Sequence, residues 1–475
     1  MKKITIALLL ALLSANAFAT DDGVASVVNG KPNPSFFPQV KTFLNIDAQS
    51  LSPQEIYSRT QAVWEHFGVI ADVPNDQLVK LYDGKQSAAE FNRILSILDG
   101  KNQFSRFAQM DKDGLKFYFD RDSKSDLDLD AQFAGSSTYL SQAISRLKAA
   151  KTNPKELPLK GLKVAIDPGH MSTKEWDKRT GKFVHDKKGN IISEGLINLQ
   201  TSLVLKTELE KLGAKVFVTR ENHNPISTLS LENLNIEEYG KKALKNKSFN
   251  AWFLNLLATA PAGEELFKNF SNNADFKNLF AATARNNYFI IGADLQARVD
   301  TIEAFDPDIS LVIHYDSHDP ANDPNGLNSS NYSRVKTYVH GSVDAEEWSG
   351  AVERSFALHH MFDSASYDAS KLLAEEVVKG LKDGLKLAYD VSGAGSSNQV
   401  SPGVFARNLF ITKKLHGHAH TYIECLHYND PSEFKAFLKK DFSLMIDGKT
   451  TYYSKRLRDV AYSIRNGVLN FMTKI

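Results

Sequence analysis

Cysteine is almost missing from this chain: Cys425 stands alone in 475 residues. No internal disulfide can form, so packing, and a metal if one binds, must hold the fold together. Charge of one sign is equally scarce. Fifty-seven basic residues face 56 acidic ones, for a formal net charge of +1, a balance that speaks against nucleic acid as a partner. Long apolar runs are lacking too. The one candidate, Ile4 to Leu13, falls well short of the roughly 20 residues needed to span a bilayer. It follows Lys2 and Lys3 and precedes Ala17-Phe18-Ala19, the small-x-small form after which a signal peptidase cuts. Residues 1–19 are therefore expected to be a removable export signal, which predicts a periplasmic or secreted protein with no stable membrane insertion. No cysteine follows the cut site, so no lipid anchor is expected there. Repeats and low-complexity tracts are also absent.

What is present is an ordinary globular composition, 42% hydrophobic and 24% charged, with length for two or three domains at about 150 residues each. Residues 20–155 read as a mostly helical N-terminal domain of unknown role. Ser52-Pro53-Gln54-Glu55 has the form of a helix start. Apolar residues recur at Ile56, Val63 and Phe67, Thr138 to Ala150 reads as a further helix, and Lys116 to Phe119 as a strand. Two prolines mark Lys151 to Lys160 as a linker.

The pattern changes at Gly161. Short apolar strands are expected at Lys163–Ile166, Lys215–Thr219, Ile309–Ile313, Val335–Val339 and His420–Ile423. Between the first two lies a helix over Glu194–Leu212. Ser193 is its N-cap and Gly213 its C-cap, and Leu196, Leu199, Leu203 and Leu209 form one stripe. A long helix is expected at Ala369–Leu387, after a helical piece at Ala345–Phe362. Strands alternating with helices predict an α/β fold over 161–475: a central, largely parallel sheet with helices on both faces, interrupted by a helical insertion at about 221–294.

Ligands in open α/β sheets bind at the carboxyl ends of the strands. Asp167-Pro168-Gly169-His170 turns sharply after the first strand, His314 ends the third, and Glu424 ends the last. Glu194 opens the helix that starts at that same edge. Two His and one carboxylate with an open fourth position is a catalytic zinc arrangement, and a second carboxylate could accept a proton from the attacking water. Spacing alone leaves blander roles open: a turn His, a core His, a glutamate favoured by the helix dipole, and a glutamate paired with a lysine.

Four motifs in order carry a resemblance. Val164-Ala165-Ile166-Asp167-Pro168-Gly169-His170 comes first, then Ser193-Glu194-Gly195 with Asn198-Leu199 and the segment Gly213 to Arg220. Leu295-Gln296-Ala297-Arg298 precedes Asp308 to His314, and Tyr422-Ile423-Glu424 is followed by Asn429. Over about Gly161 to Leu438 this resembles the zinc-dependent N-acetylmuramoyl-L-alanine amidases of the type 3 family. The resemblance implies zinc held by His170, Glu194 and His314, with Glu424 as the catalytic carboxylate. It also implies peptidoglycan as the substrate, cut at the amide joining N-acetylmuramic acid to L-alanine. A zinc peptidase acting on wall stem peptides, and a non-catalytic wall-binding or regulatory protein on the same fold, are the alternatives.

The chain departs from that family's pattern in a longer, charged gap between His170 and Glu194, and in Val312-Ile313-His314-Tyr315-Asp316. No wall-binding repeat is present, and the N-terminal region could recruit a protein activator. Ala345–Phe362, with Glu346, Glu347 and Glu353, is either an autoinhibitory cover over the zinc or, the reading preferred here, a solvated surface helix. The alternating His416, His418 and His420 are expected at an exposed edge, with a second metal site as the alternative. His359 and His360 are expected on the surface and His318 near the pocket. Arg407 is read as a salt-bridge residue, or else as a contact for a substrate carboxylate. Cys425 is read as a small buried hydrophobe facing away from Glu424.

Overall fold

The computed structural model describes residues 81–100, 102–118, 127–150, 157–174, 176–177, 181–226, 294–318, 323, 325–343, 348 and 351–475, with a two-residue strand pair at Val27–Val28 and Lys31–Pro32. The expected export signal, the expected helix start at Ser52 and nearly all of the expected insertion at 221–294 lie outside the described residues.

The described part of the N-terminal region mixes both element types, where mostly helix was expected. Strands β1 (Ala108–Met110), β2 (Gly114–Tyr118) and β3 (Leu127–Gln132) form an antiparallel sheet beside helices α1 (Ala88–Leu98) and α2 (Gln142–Ala149). Nor is it a body apart from the rest. Tyr82 stacks on Phe362 with centroids 5.5 Å apart, Phe104 meets Trp348 edge-on at 5.3 Å, and Arg93 pairs with Asp368. These residues share one apolar core with the larger sheet.

That sheet is built from β4 (Lys163–Pro168), β7 (Lys215–Val218), β8 (Ile309–Asp316), β9 (Arg334–His340), β10 (Ala388–Tyr389), β11 (Ser397–Ser401), β12 (Val404–Arg407) and β13 (Ala419–His427). A small hairpin, β5 (Phe183–His185) with β6 (Ile191–Ser193), stands outside it. The order is β11-β12-β9-β13-β8-β4-β7, with β10 added beside β9. β13, β8, β4 and β7 run parallel, and β9 runs antiparallel to β13.

Side-chain alternation splits the sheet into two faces. Val164, Ile166, Leu311, Ile313, Ile423 and Cys425 face the main core, against α3 (Glu194–Lys211), α6 (Ser364–Leu385) and α9 (Lys455–Lys474), the last also packed on the short α8 (Pro431–Phe437). Ala165, Val312, Tyr338 and Tyr422 face the other way, against α4 (Gln296–Phe305) and α7 (Phe410–Lys414). The strands read as unbroken apolar runs because both faces are covered. For the same reason α3 lacks the expected single stripe: it lies between the sheet and α9, and buries polar residues such as Asn198 and Thr201 along with its leucines.

Among the described residues, the N-terminal region meets the sheet at one edge. The Leu98 carbonyl accepts from Val343 N, just past β9, and Arg146 of α2 pairs with Asp308, just before β8. That edge is opposite the carboxyl ends of β4, β8 and β13.

Candidate metal centre

Three elements deliver three donor atoms to the carboxyl edge. The turn after β4 supplies His170, whose left-handed backbone (φ 56°) aims it back over the sheet. α3 supplies Glu194 from its first position. Ser193 caps this helix: its Oγ accepts from Leu196 N at 3.3 Å and donates to Asp177 at 2.7 Å. β8 supplies His314, two residues before its end. His170 Nε2 lies 3.2 Å and His314 Nδ1 3.0 Å from Glu194 Oε1. The two rings stand edge to face at 4.7 Å, and His314 is stacked on Tyr422 at 4.3 Å.

Two imidazoles and a carboxylate suit a divalent transition metal with a further position open. Ligands 2.0–2.1 Å from a tetrahedral ion sit about 3.3 Å from each other, close to the spacing found here. These donors thus fit a metal, and all three lie within 4.8 Å of one another. Burial draws His170 down to about 4, against the pull of Glu194, so it stays a neutral donor. Burial would raise Glu194, but His170 and His314 outweigh it and hold that carboxyl well below its ordinary value.

Backbone support under the centre is dense. The Pro168 carbonyl accepts from Arg298 Nη1 (2.6 Å) and Arg220 Nε (3.2 Å). The Gly169 carbonyl accepts from Arg220 Nη2 and Asn198 Nδ2, both at 3.0 Å, and the His170 carbonyl from Arg298 Nη2 at 3.0 Å. Arg298 is in turn paired with Asp167 and Asp294. Gly169 is required by close approach: a Cβ there would lie 2.1 Å from His314 Nε2. At Gly195 it would lie 2.0 Å from the Met171 carbonyl oxygen.

Glu424 lies on β13 directly beside His314 in the parallel register, on the same face. It is 8% exposed, and its Oε2 has no hydrogen-bond partner among the described residues. Burial first, then Asp316 and Glu194, push its carboxyl well above the usual range. An orphaned buried carboxylate oxygen beside a ready donor set is the complement expected of a cation.

The four residues read from sequence therefore come to one edge. The long gap between His170 and Glu194 holds the β5–β6 hairpin, and the strand that His314 was expected to end runs two residues further, to Asp316. Other expectations are corrected. His418 and His420 are buried, at 3% and 2% exposure: the His418 ring bonds Ser310 Oγ and the His416 carbonyl, the His420 ring bonds the His418 carbonyl, and the His420 backbone N–H donates to Ser370 Oγ. His360 is buried against the Lys413 carbonyl, and half-buried His359 bonds Tyr82 Oη. Both belong to α5 (Ala351–Phe362), which packs on α1 and α6 towards the opposite edge instead of lying solvated. Of the proposed cover, Glu346, Glu347 and the side chain of Glu353 lie outside the described residues. His318 is exposed at the rim and stacked on Tyr332. Arg407 is buried with its guanidinium over Tyr338. Cys425 is buried on the far face, as read.

Sequence reasoning missed Lys336, Asp390 and His427, which join Asp316 in a buried ion cluster next to Glu424. A lysine inside the apolar run of β9 was the available signal.

No known protein family's sequence profile matches the chain, and no curated protein matches it. Among solved structures, it is similar to the CwlD amidase of Clostridioides difficile, solved in complex with the GerS lipoprotein, at 15% identity over 66% of this chain and 100% of that one, with a TM-score of 0.36. It is also similar to the N-acetylmuramyl-L-alanine amidase Ami1 of Mycobacterium smegmatis, at 13% identity over 67% and 99% with a TM-score of 0.36. A third is the catalytic domain of the amidase CwlV of Bacillus (Paenibacillus) polymyxa var. colistinus, at 14% identity over 66% and 98% with a TM-score of 0.33. Likeness at this level leaves the functional reading to the side chains themselves.

Proposed function

We propose that this chain is an exported zinc amidase that hydrolyses the bond between N-acetylmuramic acid and L-alanine in peptidoglycan. The supporting observation is the meeting of His170, Glu194 and His314 around one carboxylate oxygen, with Glu424 on the adjacent strand. The order of the four sequence motifs points to the substrate class.

His170, Glu194 and His314 would hold the zinc. When bound, zinc supplies a Lewis acid that polarises an amide carbonyl and acidifies water. The chain's own groups supply the rest. Glu424, buried and with a free oxygen, takes the proton of the attacking water and hands it to the leaving nitrogen. Asn198, Arg220 and Arg298 hold the 168–170 backbone and so fix the direction of His170. Tyr422, stacked on His314, shields one ring face from water.

The test compares the chain after Ala19, as wild type and as Glu424→Gln, for zinc content and for fragments released from purified peptidoglycan. The expected wild type retains one zinc and frees intact stem peptides with an L-alanine amino terminus. Glu424→Gln should retain zinc and lose activity by about 10²-fold or more. Cuts within the stem would assign a peptidase. Absence of zinc, or zinc without any release, would sink the catalytic reading.

A further inference from the structure

A second set of converging donors lies at the same sheet edge. Asp316 ends β8, His427 ends β13, and Asp390 follows β10. His427 Nε2 is 3.4 Å from Asp316 Oδ2 and 3.3 Å from Asp390 Oδ2, and all three donor atoms lie within 4.8 Å of one another. Two carboxylates and an imidazole form a donor set for a divalent transition metal.

This set already contains a cation. Lys336 Nζ lies 2.5 Å from Asp316 Oδ2 and 2.8 Å from Asp390 Oδ2, the same two oxygens that His427 faces. Lys336 is 5% exposed, so its ammonium cannot exchange these partners for water. It enters from β9 directly opposite Glu424 in the antiparallel register, on the same face of the sheet. The unpartnered Oε2 of Glu424, itself 8% exposed, is therefore flanked by the His170–Glu194–His314 centre on one strand and by Lys336 on the other. An ammonium is a compact point charge carried on a stem, and here it sits at ion-pair distance from both carboxylates.

We propose that Lys336 is a tethered cation filling a second metal-competent site made by Asp316, Asp390 and His427, and that it keeps the catalytic centre mononuclear. The site's ligand class, once the ammonium is removed, is a divalent first-row metal such as zinc. In the native protein Lys336 is a positioning residue: it supplies a fixed positive charge beside Glu424 whose presence does not depend on metal supply. The account rests on the metal-centre reading above only for the count of the first ion.

The experiment measures zinc bound to the full mature chain after dialysis against buffered zinc, with folding followed by circular dichroism. Four proteins are compared: wild type, Lys336→Ala, Lys336→Ala with Asp390→Asn, and Lys336→Ala with His314→Ala. Expected zinc contents are one, two, one and one per chain. In addition, the melting midpoint of Lys336→Ala should rise with zinc by more than that of wild type. An ion cluster with a purely structural role loses stability in Lys336→Ala but gains no second zinc, and that result overturns the inference. If Lys336→Ala folds only when zinc is present, the zinc dependence of refolding supports it; failure to fold at any zinc concentration overturns it. A wild type without zinc would instead defeat the first centre. A single zinc in Lys336→Ala that Asp390→Asn abolishes would then still support this second one.

Discussion

Gly169→Ala tests the metal centre through one methyl group. The added carbon would lie 2.1, 2.2 and 2.5 Å from His314 Nε2, Cε1 and Cδ2, whereas ordinary contact begins at 3.4 Å. The ring must therefore move by at least 3.0 − 2.1 = 0.9 Å to escape the clash, and by 3.4 − 2.1 = 1.3 Å to regain ordinary contact. It has little room to do so: Tyr422 is stacked on it at 4.3 Å, and Glu194 holds Nδ1 at 3.0 Å. Metal–ligand distances tolerate about 0.2 Å, and a misplacement of about 1 Å in a site costs roughly 10²-fold. Zinc affinity and release of stem peptides should both fall by about that factor. Overpacking should cost the metal-free fold only about 1–3 kcal/mol. Competition against a chromogenic chelator reads the affinity. Gly135→Ala is the control, since nothing lies within 4 Å of its added carbon. A folded Gly169→Ala protein that binds zinc within twofold of wild type would refute the packing argument.

Other outcomes follow from the buried charges. Arg298→Met leaves Asp167 and Asp294 without their guanidinium and should cost roughly 3–5 kcal/mol in urea unfolding; a loss under 1 kcal/mol would show the network to be slack. His420 is drawn down to about 4 and His359 to about 3, in both cases chiefly by burial, while an unfolded imidazole titrates near 6.5. Because the folded values are depressed, the stability is complete above pH 6.5 and is lost as pH falls towards 4. Each histidine should cost about 2 kcal/mol by pH 5. His420→Leu should therefore show a smaller loss between pH 7.5 and pH 5 than wild type, and an equal loss would contradict the assignment. Cys425→Ala should leave turnover unchanged and cost about 1 kcal/mol in stability, reflecting packing on the face away from the centre.

The sheet, and the meeting of His170, Glu194, His314 and Glu424 at one edge of it, were legible because strand ends and helix starts write themselves into short segments. Pro168-Gly169 marks where the first strand must stop, although that strand carries Asp167 and Pro168 inside it, and Ser193 before Glu194 is a helix start in both sequence and structure. The burial of the charged and imidazole groups was not legible. Lys336, His418 and His420 look like surface residues until Asp316, Asp390, Ser310 and Ser370 are brought beside them from distant segments. Strands β1 and β3 escaped notice because an antiparallel sheet of short, polar strands depends on cross-strand partners more than on its own pattern. β14 (Phe442–Ile446), β15 (Lys449–Tyr453) and α9 carry no chemical motif to draw attention to them, although α9 closes one face of the fold.

The attachment of the N-terminal layer has a mechanical consequence. Its grips, at Arg146–Asp308, Leu98–Val343 and Tyr82–His359, all lie at the edge away from His170, His314 and Glu424. Whatever seizes that layer pulls on the rear of the sheet, at the far end of the strands from the donor atoms. On the function proposed above, a handle at the rear would let the donor edge meet foremost a polymer too large to be engulfed.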